Sequence, residues 1–332
     1  MKLPPFDYQR PQTTAEACGL LREGGKEAHP IAGGTELVLA LQNRQTTARL
    51  LVDLGGIAGL DQIRYAPETG LRIGPLVTLR QLAENSDVRC FYPLLAQAAS
   101  SAGSPQIQAM GTVGGNLCQD TCCQYFNRSA GARRTFEPCH KLGGGVCHVV
   151  SSSNECWATY AGDIAPALIA LDATLWIADP GGERRIAIRD FFSGDGARPH
   201  KLREGEMVNA IDVPPAATAL SGQTYSKLRQ RGTLDYGMLA VAARVELDDA
   251  LECRTLRVVL TGVDRKPVEI GEAEGAEGAK LNASAIRNVA EAACQHAHPM
   301  KNLCELPPSY RRQMVDVFVE SAVTQARAAA GK

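Results

Sequence analysis

Two short glycine turns, each set where an apolar stretch gives way to a helix-forming one, constrain this chain more than any other feature. The first is Gly33-Gly34-Thr35, between Ile31-Ala32 and the apolar-rich run Leu37 to Leu41. The second is Gly111-Thr112-Val113-Gly114-Gly115-Asn116. Glycine lets a backbone come close to a bulky anion, and the N–H groups that open a helix point at it. Thr35 offers a helix cap or a hydroxyl for a phosphate oxygen. Two such turns could clamp a dinucleotide pyrophosphate from both sides. Neither reads G-x-G-x-x-G, and no G-x-x-x-x-G-K-[ST] occurs, which disfavours Rossmann and P-loop folds. Pattern alone stops at an anion site, and ordinary turn chemistry explains the first loop, taken by itself, at least as well.

The rest of the chain reads as mixed α and β structure. A length of 332 residues suggests two or three modest domains. Thr13 and Glu16 have capping-box spacing before a short helix through Leu20 and Leu21, which Gly24-Gly25 ends. Ile31-Ala32, the helix after Thr35, and a strand over Arg49 to Leu54 form a small βαβ-like unit. Thr78 to Gln81 repeats the capping-box spacing, and Pro93 to Ser101 and Ala161 to Leu171 read as helices. Thr174 to Ala178 and Met207 to Val213 are strand-like, and Pro214-Pro215 marks a domain boundary. Leu239 to Leu247 alternates as a half-buried strand, and Leu256 to Leu260 suggests another. Residues 271–280 read as a loop, and helices near 284–295 and 309–330 finish an α+β tail.

Composition excludes more than it selects. A net charge of −1 gives no reason to expect nucleic acid or a membrane surface as partner. No apolar run approaches the roughly 20 residues of a membrane span, and Met1 to Arg10 has no apolar core of a signal peptide. A cytoplasmic location is the simplest expectation. Of eleven cysteines, Cys18, Cys90, Cys253, Cys294 and Cys304 are scattered, whereas six fall between Cys118 and Cys156. In a reducing compartment such a cluster reads first as a metal or iron–sulfur site. A zinc site drawing on His140 or His148, and metal-free structural thiols, stay open.

The two glycine turns, as Ile31-Ala32-Gly33-Gly34-Thr35-Glu36-Leu37 and Gly111-Thr112-Val113-Gly114-Gly115-Asn116, resemble the pyrophosphate loops of the FAD subunits of molybdenum hydroxylases. This is the family of xanthine dehydrogenase and aerobic carbon monoxide dehydrogenase. The likeness runs from Phe6-Asp7-Tyr8 through the C-terminal part. It implies an α+β chain: a two-part FAD-binding domain of the PCMH (vanillyl-alcohol oxidase-like) type, then a C-terminal domain of the CO-dehydrogenase flavoprotein type. The implied bounds are 1–56, 57–215 and 216–332. It implies FAD contacts from Ile31 to Leu37, from Thr112 to Asn116, and at Asp163, Val208 and Lys227. Asp163 lies in Gly162-Asp163-Ile164-Ala165-Pro166, similar to the segment that reaches the flavin. Lys227 lies in Tyr225-Ser226-Lys227-Leu228-Arg229, where a lysine stabilises charge on reduced flavin. Glu36 departs from the Asp or Asn common in that family. On the residues alone, a capping Asp163 and a solvated Lys227 are the preferred readings.

About forty residues, 118–157, intervene where most such subunits pass almost directly to the Gly-Asp segment. In this respect the chain resembles the β subunit of 4-hydroxybenzoyl-CoA reductase, which carries a [4Fe–4S] cluster beside FAD. That likeness implies Cys123, Cys139, Cys147 and Cys156 as ligands, with Cys118 and Cys122 left as free thiols. It implies an electron-relay subunit with no catalytic residue of its own beyond flavin tuning by Lys227. The implied partners are a molybdopterin-binding large subunit, a small subunit with two [2Fe–2S] clusters, and a ferredoxin-like carrier. The reductive role is the first expectation. The alternative is an oxidative hydroxylase of the xanthine or aldehyde dehydrogenase kind, passing electrons out to an acceptor.

Overall fold

The computed structural model describes residues 3–217, 220–232, 235–271, 278–303 and 306–331. Cys304 and most of the loop expected over 271–280 lie outside the described residues. The chain opens with a parallel sheet. Strand β1 (Asp7–Gln9) leads through helix α1 (Thr14–Gly24) to β2 (Ala28–Ile31), and β2 through α2 (Leu37–Gln42) to β3 (Leu50–Asp53). The strand order is β1-β3-β2, with both pairings parallel. The expected βαβ unit is therefore present, with one further strand. Thr13 Oγ1 accepts the Glu16 N–H at 3.2 Å, whereas the Glu16 carboxylate reaches past the cap to the Gln12 N–H at 2.9 Å. The apolar face of α1, Ala17, Cys18 and Leu21, is buried against Val52 and Leu54 on one side and Ala178 and Met207 on the other. It glues the first sheet to the second.

The second unit starts with the hairpin β4 (Ile63–Ala66) and β5 (Gly70–Ile73). Five helices follow: α3 (Leu79–Glu84), α4 (Ser86–Phe91), α5 (Pro93–Ser101), α6 (Pro105–Met110) and α7 (Val113–Leu117). The capping box at Thr78 closes in both directions, Gln81 N–H to Thr78 Oγ1 at 3.1 Å and Thr78 N–H to Gln81 Oε1 at 2.8 Å. After the cysteine-rich segment, which holds the short α8 (Ala130–Arg133), come α9 (Ile164–Ala170), β6 (Thr174–Asp179) and β7 (Gly182–Ala187). Then α10 (Ile188–Phe191), the small hairpin β8 (Phe192–Asp195) and β9 (Arg198–His200), and β10 (Met207–Val213) complete the unit. The sheet is antiparallel throughout, in order β4-β5-β10-β6-β7. Leu79, Leu82, Leu94, Leu95 and Leu168 pack the helices onto Ile73, Leu175 and Ile211 of this sheet. Helix α9 begins three residues later than the expected Ala161. Tyr160 is committed elsewhere: its N–H donates to the Asp264 carbonyl at 3.0 Å, and its carbonyl accepts from Gly262 at 2.9 Å.

The third unit is an antiparallel meander, β11 (Ser221–Leu228), β12 (Leu239–Leu247), β13 (Cys253–Thr261) and β14 (Val268–Ile270), backed by α11 (Ala283–His296) and α12 (Pro308–Ala330). Strand β12 is not half-buried as its alternation suggests. Val241, Ala243 and Val245 face α11 and α12, whereas Ala240 and Ala242 belong to the core of the second unit. Small side chains on that second face let the sheet close against α5 and α9. Gly222 is required on β11, since a Cβ there would stand 1.7 Å from the Ala326 carbonyl of α12. No helix among the described residues is long and apolar enough to cross a membrane.

One cation ties this unit together. Arg311 is fully buried in α12 and donates to the carbonyls of Met238, at 2.9 Å, of Met300, at 2.9 Å, and of Gly262. Replacing it strands those carbonyls without water, at about 1–3 kcal/mol each. Arg311→Met is therefore expected to destabilise the chain by about 3 kcal/mol or more, read as a lowered urea midpoint.

Candidate functional site

The two glycine turns meet face to face. A Cβ on Gly33 would stand 1.7 Å from the Met110 carbonyl oxygen at the end of α6, so only glycine fits. Gly34 takes the left-handed φ of +69° that turns the chain into α2, a region costly for other residues. The Thr35 hydroxyl lies 3.6 Å from where a Gly111 Cβ would be, which places it beside the second turn. That turn is anchored from behind: Val113 N–H donates to Val77 O at 2.8 Å and Gly114 N–H to Pro75 O at 2.9 Å. Thr112 caps α7 by accepting the Gly115 N–H at 3.1 Å.

Between the turns runs an open groove of about 360 Å³. Ala32, Gly33 and Thr112 of the expected contacts line it. So do residues that sequence reasoning missed: Gly55, Gly56 and Ile57 after β3, with Leu76 and Met110. The pair Gly55-Gly56 is a third glycine turn at a strand end and was a readable signal. Met110 and Leu76 carry none.

The other expected contacts fall in three groups. Ile31 and Leu37 pack beneath the first turn against Leu41, Ala48 and Leu51. Val113 and Val208 are core side chains of the second unit. Asn116, Asp163 and Lys227 form the far end of the site. Asn116 Oδ1 accepts the Ile164 N–H at 2.9 Å, tying the second turn to α9. Asp163 stands at the N-cap position of α9 but does not cap it. Its Oδ1 instead meets Lys227 Nζ at 2.8 Å and accepts the Tyr225 hydroxyl at 2.9 Å. Lys227 also donates to the Ser101 carbonyl at 3.1 Å, and its side chain is only 3% exposed. Neither a capping aspartate nor a solvated lysine describes this pair. Burial, with the Asp163 charge, holds the Tyr225 phenol well above its ordinary pKa, so it stays a donor. Helix α7, five residues long, separates this pair from the groove by roughly 7 Å at 1.5 Å per residue.

Glu36 points away from the groove. Its Oε1 accepts the Asp120 N–H at 2.9 Å, and burial pushes its carboxyl up to about 7. It is thus the link between the first glycine turn and the cysteine-rich segment.

That segment leaves from the end of α7 nearest Asp163 and closes on itself. Cys122 and Thr159 exchange two backbone hydrogen bonds of 2.9 Å at its neck. Inside, Cys123, Cys139, Cys147 and Cys156 all line one small cavity of about 10 Å³, whose wall includes Phe126, His140, Lys141 and Ala158. Cys118 and Cys122 do not line it. The Phe126 N–H points at the Cys123 sulfur from 3.3 Å. Burial pushes the Cys156 thiol up to about 12 and raises that of Cys123. Among the described residues no three His, Cys, Asp or Glu side chains converge closely enough to hold a single metal ion. His148 also lines the cavity, but its Nε2 donates to the Glu137 carbonyl at 2.8 Å and its ring packs against Tyr125 and Phe136.

Residues 4–216 match the family described as the FAD binding domain in molybdopterin dehydrogenase, and residues 223–326 match the CO dehydrogenase flavoprotein C-terminal domain. The chain is 35% identical over 293 residues to the aldehyde oxidoreductase FAD-binding subunit PaoB of Escherichia coli, covering 83% of this chain and 87% of that one. It is 29% identical over 330 residues to the carbon monoxide dehydrogenase medium chain of Afipia carboxidovorans, covering 98% of each. Among solved structures it is similar to a reconstituted CO dehydrogenase from Oligotropha carboxidovorans, with a TM-score of 0.81, 27% identity, and coverage of 99% of this chain and 100% of that one.

Two outcomes follow from the geometry of the turns. Gly33→Ala forces the Met110 carbonyl away and splays the groove. Affinity for FAD, followed by flavin fluorescence, is expected to fall about tenfold or more. For Glu36 the folded chain keeps a proton that the unfolded chain releases near pH 4.5, its ordinary value. Stability of the FAD-free chain therefore falls as pH rises from about 4.5 to about 7 and levels off above. Glu36→Gln retains the bond to Asp120 and is expected to flatten that fall in thermal unfolding curves.

Proposed function

Because the chain belongs to the family of FAD-binding subunits of the molybdopterin dehydrogenases, we propose that it serves an oxidative enzyme of the aldehyde or xanthine dehydrogenase kind. The chain is a flavoprotein component of an oxidoreductase. In this reading FAD lies along the groove with its pyrophosphate between the two glycine turns. The cysteine cavity houses a [4Fe–4S] cluster at the flavin end. Electrons arrive from partner subunits and leave through this chain.

The carrying observation is the family match over residues 4–216 with 35% identity to an aldehyde oxidoreductase FAD-binding subunit; the cluster in this reading rests on the four thiols that line one cavity beyond α7. A cubane needs one thiolate per iron, which Cys123, Cys139, Cys147 and Cys156 would supply. The four sulfurs line one small cavity together with His140, Lys141 and His148, and the imidazole of His148 is engaged with the Glu137 carbonyl. FAD, when bound, supplies the exchange between two-electron and one-electron transfer. The chain's own residues do the rest. Gly33 and Gly34 would bring backbone N–H groups close to the pyrophosphate, with Thr112 on the facing wall of the groove. Lys227, fixed by Asp163 and Ser101, presents a buried cation that favours negative charge on reduced flavin. Tyr225 holds Asp163 from the other side. The Phe126 N–H stabilises the Cys123 thiolate, and Phe126 itself keeps water from the sulfur.

The oxidative direction replaces the reductive one first expected. The relatives described above are an aldehyde oxidoreductase subunit and a carbon monoxide dehydrogenase chain, and xanthine and nicotinate dehydrogenase subunits are also similar. Names such as medium chain and FAD-binding subunit support an assembly with separate molybdopterin and [2Fe–2S] chains. The extra cluster favours a one-electron carrier such as a ferredoxin as the outlet, because a hydride acceptor needs no cluster beside the flavin. A relay like that of 4-hydroxybenzoyl-CoA reductase is the second reading, favoured by the cysteine segment alone.

The test is anaerobic mixing of the native complex with an aldehyde or a purine, with absorbance followed at the flavin. Substrate-driven bleaching is expected. A complex that bleaches only with a low-potential reductant, and returns those electrons to an aromatic thioester, contradicts the oxidative reading. Lys227→Met is expected to slow bleaching about tenfold or more and to lower the flavin potential, measured by dye-coupled redox titration.

A further inference from the structure

The cysteine segment is fastened to both ends of α2, the helix that the first glycine turn opens. At the far end the fastener is Arg133, in α8 and only 9% exposed. Its Nη1 donates to the carbonyls of Phe126, at 3.1 Å, and Arg128 inside the segment. Its Nη2 donates to the carbonyls of Asn43, at 3.0 Å, and Arg44, at 2.5 Å, just beyond α2. Arg44 there holds a left-handed φ of +56°, which a residue with a side chain seldom adopts without support. At the near end the fastener is Lys141, with a side chain 4% exposed. Its Nζ meets Asp120 Oδ1 at 2.6 Å and the Thr121 carbonyl at 2.8 Å, and the Asp120 N–H is the donor to Glu36. Phe126 and Lys141 are both walls of the cysteine cavity, with the ammonium 4.5 Å from the ring centre.

We infer that the cysteine segment is a clamp on the first glycine turn, so that filling the cysteine cavity slows the loss of FAD. The inference rests on the assignment of the groove to FAD and of the cavity to the cluster. The segment has little regular structure, one four-residue helix and one 3₁₀ turn, and apart from the Cys122–Thr159 neck its backbone bonds close short local turns, which hold its parts together weakly. Four sulfurs bound to one cluster close its loops and fix Phe126 and Lys141. That order passes through Arg133 to Asn43 and Arg44, and through Lys141 and Asp120 to Glu36. Helix α2 is then held at both ends, and the glycine turn with it. Linkage makes the coupling reciprocal: bound FAD also steadies the cluster. Arg133 is a positioning residue, acting through α2.

The experiment measures FAD release after dilution, by recovery of flavin fluorescence, from the full chain loaded with iron and sulfide. Four forms are compared: wild type, Cys139→Ser, Arg133→Met and the double variant. Arg133→Met is expected to keep its iron, about four per chain, yet to release FAD about tenfold faster, as Cys139→Ser does. The double variant is expected to release it no faster than Cys139→Ser, since both cut one coupling. Lys141→Met is a second cut and is expected to act like Arg133→Met if that variant does not fold. Equal release rates from iron-loaded wild type, Arg133→Met and Lys141→Met overturn the clamp, as do effects that multiply in the double variant. A wild-type chain that binds FAD and iron with independent release refutes the clamp alone. One that binds neither refutes the underlying assignment as well.

Discussion

The contact between Gly33 and the Met110 carbonyl is the constraint on which the rest of the structure depends. It brings the parallel sheet of the first unit against the helices of the second with no room for a single carbon atom. Everything that follows is a consequence of where that contact puts the two turns. The groove opens between them, Gly55 and Gly56 close its floor, and α7 runs from it towards Asp163. The third unit enters at that end, where Lys227 crosses from β11 to form a buried ion pair with Asp163. A buried pair of this kind contributes little net stability over an apolar one, but losing either partner is costly. Its use here is placement, since it fixes a cation at one end of a long site whose other end is neutral backbone.

Sequence reasoning reached the elements whose signals are local. The glycine turns, the capping box at Thr78, helix Pro93–Ser101 and strand Met207–Val213 are all written in a few neighbouring residues. It fell short wherever the deciding partner lies far along the chain. Strand β12 looks half-buried because its alternation is one of size, valine against alanine, and both faces are covered. Helix α9 starts late because Tyr160 is bound to Asp264 and Gly262, a hundred residues on. Lys227 looked as easily solvated as buried, since nothing in its neighbours announces Asp163. Met110 enters the groove only because α6 ends there, and nothing near Arg133 in the sequence announces its partners Asn43 and Arg44.

The cysteines show the same division. Their concentration between Cys118 and Cys156 was plain, and their spacing could not choose among six. Four of them line one cavity, Cys123, Cys139, Cys147 and Cys156, whereas Cys122 sits in the neck paired with Thr159. The four thiols line one small cavity, and burial raises the pKa values of Cys123 and Cys156. In the proposed reading, a flavin at one end of α7 and a cluster held by the cysteines beyond it would be two redox centres joined by a few residues of backbone. Such a pairing suits a chain that collects electrons from a partner and hands them on singly.

The most direct measurement of that account is a reductive titration of the anaerobically reconstituted chain, with metal analysis and electron paramagnetic resonance of the reduced state. The account predicts uptake of about three electrons per FAD, two by the flavin and one by the cluster, with an iron–sulfur signal that Cys147→Ser abolishes. Uptake of about two electrons, with zinc or no metal bound by the four thiols, would contradict it.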